Sequence, residues 1–278
     1  SPVQRHQAFT LVEVLVATAV TALLVGLLAN VASNVMDGYQ NSSGTIVASR
    51  DADFALDTLI TDLEALAVAD HYNSDGDPVE SLRANPETVN GIQTTWLAFN
   101  ARVLDSDPDD FDSSPRTVSY RLAYQDPIDG DGGGGPSAFA LYRELKSARD
   151  TFEDALEVDN LIDDYWSTFS PAVTAPANFL VGNVVDFEVR FLSADGSAWQ
   201  PADPTSDSVS IDADGAWVDD DQGDGTRIDG GIATIEASVT VLTPQGATLL
   251  ESGQQLDNLL DRFSVTRTRR TSVLGDGI

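Results

Sequence analysis

A short polar and basic leader gives way at Phe9 to an apolar run: residues 9–29 carry Leu, Val, Ala, Thr and Gly with a single charge, Glu13. At about 1.5 Å per residue a helix over that run is about 30 Å long, the depth of a bilayer's hydrocarbon core. Beyond Asn30 the apolar density falls. Val31, Val35, Leu56, Leu59, Ile60, Leu63, Leu66 and Ala67 then recur at three- and four-residue spacing, which predicts an amphipathic helical stripe. Helix is therefore expected from Phe9 to Val68. Gly38 and Gly44, with Asn41, Ser42 and Ser43 between them, predict an interruption before it resumes near Thr45.

Past residue 70 the period changes to two. Residues 94–99, 118–124 and 138–143 are short runs of β type. Val185, Phe187, Val189 and Phe191 alternate with Asp186, Glu188 and Arg190, and Ile235, Ala237, Val239 and Val241 alternate with Glu236, Ser238 and Thr240. Residues 263–269 predict a closing strand. Half-buried antiparallel sheet fits all of them. Residues 150–169 carry Phe152, Leu156, Leu161, Ile162, Tyr165 and Trp166 among acids, and fit either a helical insertion or a loop packed on the sheet. The expected class is α+β: a leader at 1–8, a membrane-crossing helix at 9–30, its amphipathic continuation at 31–70, and a β-rich globular domain at 71–278.

Charge narrows the partners. With 45 acidic against 15 basic residues the net charge is -30, which repels nucleic acid and anionic headgroups over most of the surface, so no nucleic-acid partner is expected. Cysteine is absent, which removes thiol nucleophiles, Cys-based zinc sites and disulfides. At 278 residues the chain can bury a core without staples. His71 is the single histidine outside the leader, and the glycines at 132–135 are not followed by the Lys-Ser/Thr of a phosphate loop. No catalytic residue is expected, and the chain does not read as an enzyme.

The acidic surplus lies in loops rich in Asp and Gly. Calcium takes six to eight oxygens on a bendable loop, and the densest group, Asp212, Asp214, Asp220 and Asp224, is the candidate Ca2+ site. No such loop places the Gly and Glu of an EF-hand in register, and hydrated acidic turns account for the same composition. Arg262, Arg267, Arg269 and Arg270 form a basic cluster whose expected targets are the chain's own acids or an acidic neighbouring subunit.

A carboxylate at Glu13 is costly within hydrocarbon without a partner. Its setting, a basic leader, then Phe9-Thr10-Leu11-Val12-Glu13 heading the apolar run, resembles the type IV pilin and type II secretion pseudopilin family. The resemblance implies that a prepilin peptidase cuts between Ala8 and Phe9 and methylates the new amino terminus of Phe9. It also implies that Glu13 pairs with that terminus on a neighbouring subunit in a filament. Ala8 stands where the family usually has Gly.

The segment 49–63, the strands at 118–122 and 235–242, and residues 183–196 with Trp199 follow the order of the J-type minor pseudopilins. That likeness implies a pilin-like fold and a tip or initiation subunit of a type II secretion pseudopilus. The implied partners are other minor pseudopilins, the major pseudopilin and inner-membrane lipid, with the carboxy-terminal domain in the periplasm. The alternatives are a minor pilin of a type IV pilus, serving adhesion, motility or DNA uptake, and a calcium-dependent envelope binding module on a pilin-type anchor.

Overall fold

No proline falls between residues 11 and 64, and Ala and Leu recur in that span. The computed structural model describes residues 11–68, 72–102, 115–130, 134–158, 160–166, 173–193, 196, 198–199, 207–219, 225–228, 231–251 and 255–272. Its first element is one unbroken helix of 54 residues, α1 (Leu11–Glu64). The expected interruption near Gly38 and Gly44 is absent. A glycine costs about 1 kcal/mol relative to alanine in a helix, too little to end one that runs on at both sides.

The packed face of α1 begins only at Ala48. Ala48, Ala52, Ala55, Leu56, Leu59 and Leu63 are buried, whereas Val31 and Val35, at the head of the expected stripe, are 58% and 66% exposed. At its end the helix hands over to sheet: Ala67 N–H donates to the Asn100 carbonyl (2.8 Å) and Arg102 N–H to the Ala65 carbonyl (2.8 Å).

The domain's strands, among the described residues, are β1 (Leu82–Val89), β2 (Ile92–Ala101), β3 (Arg116–Gln125), β4 (Ala138–Leu145), β5 (Phe179–Gly182) and β6 (Val184–Leu192) in its first half. Then come β7 (Ala198–Trp199), β8 (Ser208–Asp212), β9 (Gly215–Asp219), β10 (Gly225–Arg227), β11 (Thr234–Leu242) and β12 (Ser264–Ser272). Two antiparallel sheets result. One has the order β10-β9-β8-β1-β2-β3-β4-β5, the other β12-β11-β6-β7. Short helices α2 (Ala148–Glu153), α3 (Pro244–Glu251) and α4 (Leu256–Phe263) fill the connections.

Period-two alternation explains the layers. Leu97 and Phe99 of β2 face the main core with Leu56, Leu59, Val118, Tyr120, Leu141, Phe187 and Val239. Trp96 and Ala98 face the opposite side, where a second core holds Leu161, Ile162, Tyr165 and Trp166. The described residues of the acidic, aromatic segment, 150–158 and 160–166, are thus helical in short pieces, including a π-turn (Leu161–Trp166), and also pack on the sheet.

Buried polar groups tie these layers together. Asp62, 3% exposed, accepts from Tyr120 Oη (2.5 Å), Arg143 Nε (2.7 Å) and Arg143 Nη2 (3.1 Å), fastening the end of α1 to β3 and β4. Burial, reinforced by the Asp62 carboxylate, pushes the Tyr120 hydroxyl well above its ordinary pKa, so it remains a donor. On the far side of the sheet Glu80 accepts from Arg83 Nη1 (2.6 Å) and from Leu161 N–H (2.8 Å). Burial pushes this carboxyl up to about 7 against the pull of Arg83.

Removing the carboxylate of Asp62 leaves Arg143 and Tyr120 without their shared acceptor, and breaking a buried pair of this kind costs about 3–5 kcal/mol. Asp62→Ala is expected to lower domain stability by that amount, measured by denaturant unfolding followed through tryptophan fluorescence, with far-ultraviolet circular dichroism showing that the native fold still forms.

Candidate membrane and assembly helix

Residues 11–43 of α1 are exposed throughout. At about 1.5 Å per residue those 33 positions carry the helix about 50 Å before it meets the domain. The meeting point is Gly44, where an added Cβ would lie 3.5 Å from Thr243 Cβ and 3.6 Å from Pro244 Cδ, in ordinary contact. Before it, Leu11, Leu15, Leu23, Leu24, Leu27 and Leu28 are each more than half exposed. An apolar surface of this extent marks an interaction with membrane or protein rather than with water. By length and composition this helix can cross a membrane.

The polar side chains of the segment are compatible with hydrocarbon. Thr18 Oγ1 donates to the Leu15 carbonyl (2.9 Å) and Thr21 Oγ1 to the Ala17 carbonyl (2.8 Å), so both hydroxyls are satisfied within the helix. Asn34 Nδ2 donates to Asn30 Oδ1 (3.0 Å) where the apolar run gives out. Glu13 is exposed near the start of the described part of α1. Ala8 and Phe9, the expected cleavage and methylation positions, lie outside the described residues.

The proposed calcium ligands divide in the same way. Asp220 and Asp224 lie outside the described residues. Asp212 Oδ1 accepts from Asp214 N–H (2.7 Å), Gly215 N–H (3.0 Å) and Trp217 Nε1 (3.0 Å), closing the β8–β9 turn, and Asp214 Oδ1 accepts from Tyr72 Oη (2.8 Å). Among the described residues no three His, Asp or Glu side chains are grouped to hold a metal ion.

The basic cluster meets the chain's own acids, on α1 and on β11. Arg267 Nε lies 3.5 Å from Asp53 Oδ1, Arg269 Nη2 lies 3.4 Å from Asp57 Oδ1, and Arg270 Nε lies 2.5 Å from Glu236 Oε2. Arg262 stands apart, its guanidinium 5.6 Å from the Phe263 ring. The acids at 53 and 57, four residues apart on α1, were the signal that could have identified the partners of an Arg-Thr-Arg strand.

Among known families, the chain matches the prokaryotic N-terminal methylation motif over residues 3–29, a span that holds Ala8, Phe9, Glu13 and the apolar run. No curated protein matches it. Among solved structures, a type IV-like pilin from Thermus thermophilus aligns at 12% identity over 79% of this chain and 93% of that one, with a TM-score of 0.35, a likeness that carries no argument.

Because Asp212 closes a turn through three donors, Asp212→Ala is expected to loosen the β8–β9 hairpin and shift Trp217 emission to the red equally in calcium and in chelator. A shift seen in calcium alone would give the carboxylate to a metal instead. The chain thus carries a prokaryotic N-terminal methylation motif at the head of an exposed, membrane-length helix that runs into an antiparallel β domain.

Proposed function

We propose that this chain is a minor pseudopilin, a structural subunit of the tip or initiation complex of a type II secretion pseudopilus that supports protein export. The observation that carries the reading is Phe9-Thr10-Leu11-Val12-Glu13 at the head of the apolar run, with residues 11–43 of the helix exposed throughout. In this reading the peptidase cuts between Ala8 and Phe9, and the methylated Phe9 leads a helix that spans the inner membrane once. The domain then stands in the periplasm. The partners are prepilin peptidase, other minor pseudopilins, the major pseudopilin and inner-membrane lipid.

Assembly follows from electrostatics. Glu13 and the amino terminus of Phe9 are each expensive in hydrocarbon, and subunits offset by one helical step let the two neutralise each other in a low-dielectric core. The apolar surface of residues 11–43 then passes from lipid to neighbouring helices, between which small residues such as Ala17, Ala22 and Gly26 allow close approach.

The test is incorporation. Co-expressed with a prepilin peptidase and the pseudopilins of its host, the wild-type chain is expected in sheared filaments. Glu13→Ala is expected to be processed but to stay in the membrane fraction, with incorporation down at least tenfold. Equal incorporation of both would remove the role given to Glu13. Deleting the chain is expected to stop protein export, whereas loss of surface pili with export intact would make it a minor pilin.

A further inference from the structure

We propose that the outer edge of β12 receives an extended, acidic segment of a different subunit as an added strand. The four ends of the two sheets are not alike. Among the described residues β10, β7 and β5 have three, two and four residues, and edges that short give another chain little to pair with. β12 has nine residues, all paired with β11 on one side, and none of its backbone pairs with a strand on the other side among the described residues. Residues 266–270 are exposed in succession. Such an edge offers a row of N–H and C=O groups, and strand addition is a recurring way of reading one.

Charge selects the occupant. β12 reads Ser-Val-Thr-Arg-Thr-Arg-Arg-Thr-Ser, with three arginines and no acid, in a chain of net charge -30. The pairs that Arg267 and Arg269 make with Asp53 and Asp57 are exposed, with side-chain exposures of 41% to 68%, and ion pairs of that kind are worth about 0–1 kcal/mol, so they exchange readily. A second copy is a poor occupant: antiparallel pairing centred on Thr268 sets Arg267 opposite Arg269 twice, and like charges directly opposite destabilise a sheet. A strand with Asp or Glu at alternate positions meets the arginines instead.

The surface beside the edge lies on the face where Arg267 and Arg269 reach Asp53 and Asp57 of α1. A groove of about 670 Å³ runs there between Arg267 and the outer flank of α1, lined among others by Ile46, Arg50 and Phe54. Ile46 is 68% and Phe54 55% exposed, so the acids that reach the arginines also meet apolar surface on that face. The identity of the partner as another filament subunit rests on the function proposed above; the strand-accepting edge does not.

The experiment uses the full chain in detergent and two nine-residue capped peptides, one alternating glutamate with valine, the other lysine with valine. The glutamate peptide is expected to bind at least tenfold more tightly than its twin and to slow hydrogen exchange across residues 264–272. R267E/R269E is expected to lose that binding at least tenfold while keeping its circular dichroism. Of Thr268→Pro and Arg269→Pro, the one whose N–H points away from β11 keeps the fold and weakens binding. No filament is needed, so failure of the assembly reading leaves this result legible. Equal binding of both peptides, none at millimolar concentration, unchanged exchange in β12, or dimerisation through this edge would each overturn the proposal.

Discussion

The architecture depends on one helix being asked to satisfy two environments. Over residues 48–63 α1 buries Ala and Leu at three- and four-residue spacing against the two sheets, and Asp62 fixes it there through Tyr120 and Arg143. Over residues 11–43 the same helix buries nothing. Burying a Leu or Val side chain is worth about 1.5–3 kcal/mol, so a dozen or more left in water would outweigh the stability of an ordinary domain. An exposed apolar surface of that extent fits a non-aqueous surrounding, which in the function proposed above is first lipid and then helices of like kind. No break separates the two halves of α1.

Charge is arranged around that requirement. The apolar run carries one acid, Glu13, at its head, while the surplus that brings the chain to -30 lies in the domain. Like-charged domains repel at long range, which opposes random association through the sheets. The arginines of β12 interrupt this field beside α1 and restrict close approach to surfaces of opposite sign. In the assembly proposed above, this charge pattern opposes aggregation of the domains and makes lateral contact selective.

Much of this was legible in the sequence, for physical reasons that differ by element. β2, β3, β4, β6 and β11 announced themselves because each has a core face alternating with a polar or second-core face, whereas β12 has only Val265 and Thr271 buried. β1 did not: Asn85 and Pro86 argue against a strand, yet β8 pairs only with Leu82, Arg83 and Ala84, so Pro86 sits where no ladder bond is needed on that side. The Asn90-Gly91 turn that follows, with both residues at positive φ, was a readable hairpin signal that the sequence reading passed over. α3 and α4 are eight residues each, too short for periodicity to separate from loop. The interruption expected at Gly38 and Gly44 overrated glycine in a helix otherwise free to continue. At the amino terminus the ordered pair Phe9 and Glu13 carried the assembly reading, whereas the partners of Arg267 and Arg269 needed the fold, because Asp53 and Asp57 are more than 200 residues away in the chain.

The central claim is that the helix is the processed, membrane-derived assembly segment of a filament subunit. Its most direct test is mass spectrometry of the amino terminus after co-expression of the full chain with a prepilin peptidase. The account predicts a mature product that begins at Phe9 and carries a methylated amino group. A chain that keeps residues 1–8 in the presence of active peptidase would contradict it, reducing α1 to an anchor with no route into a filament.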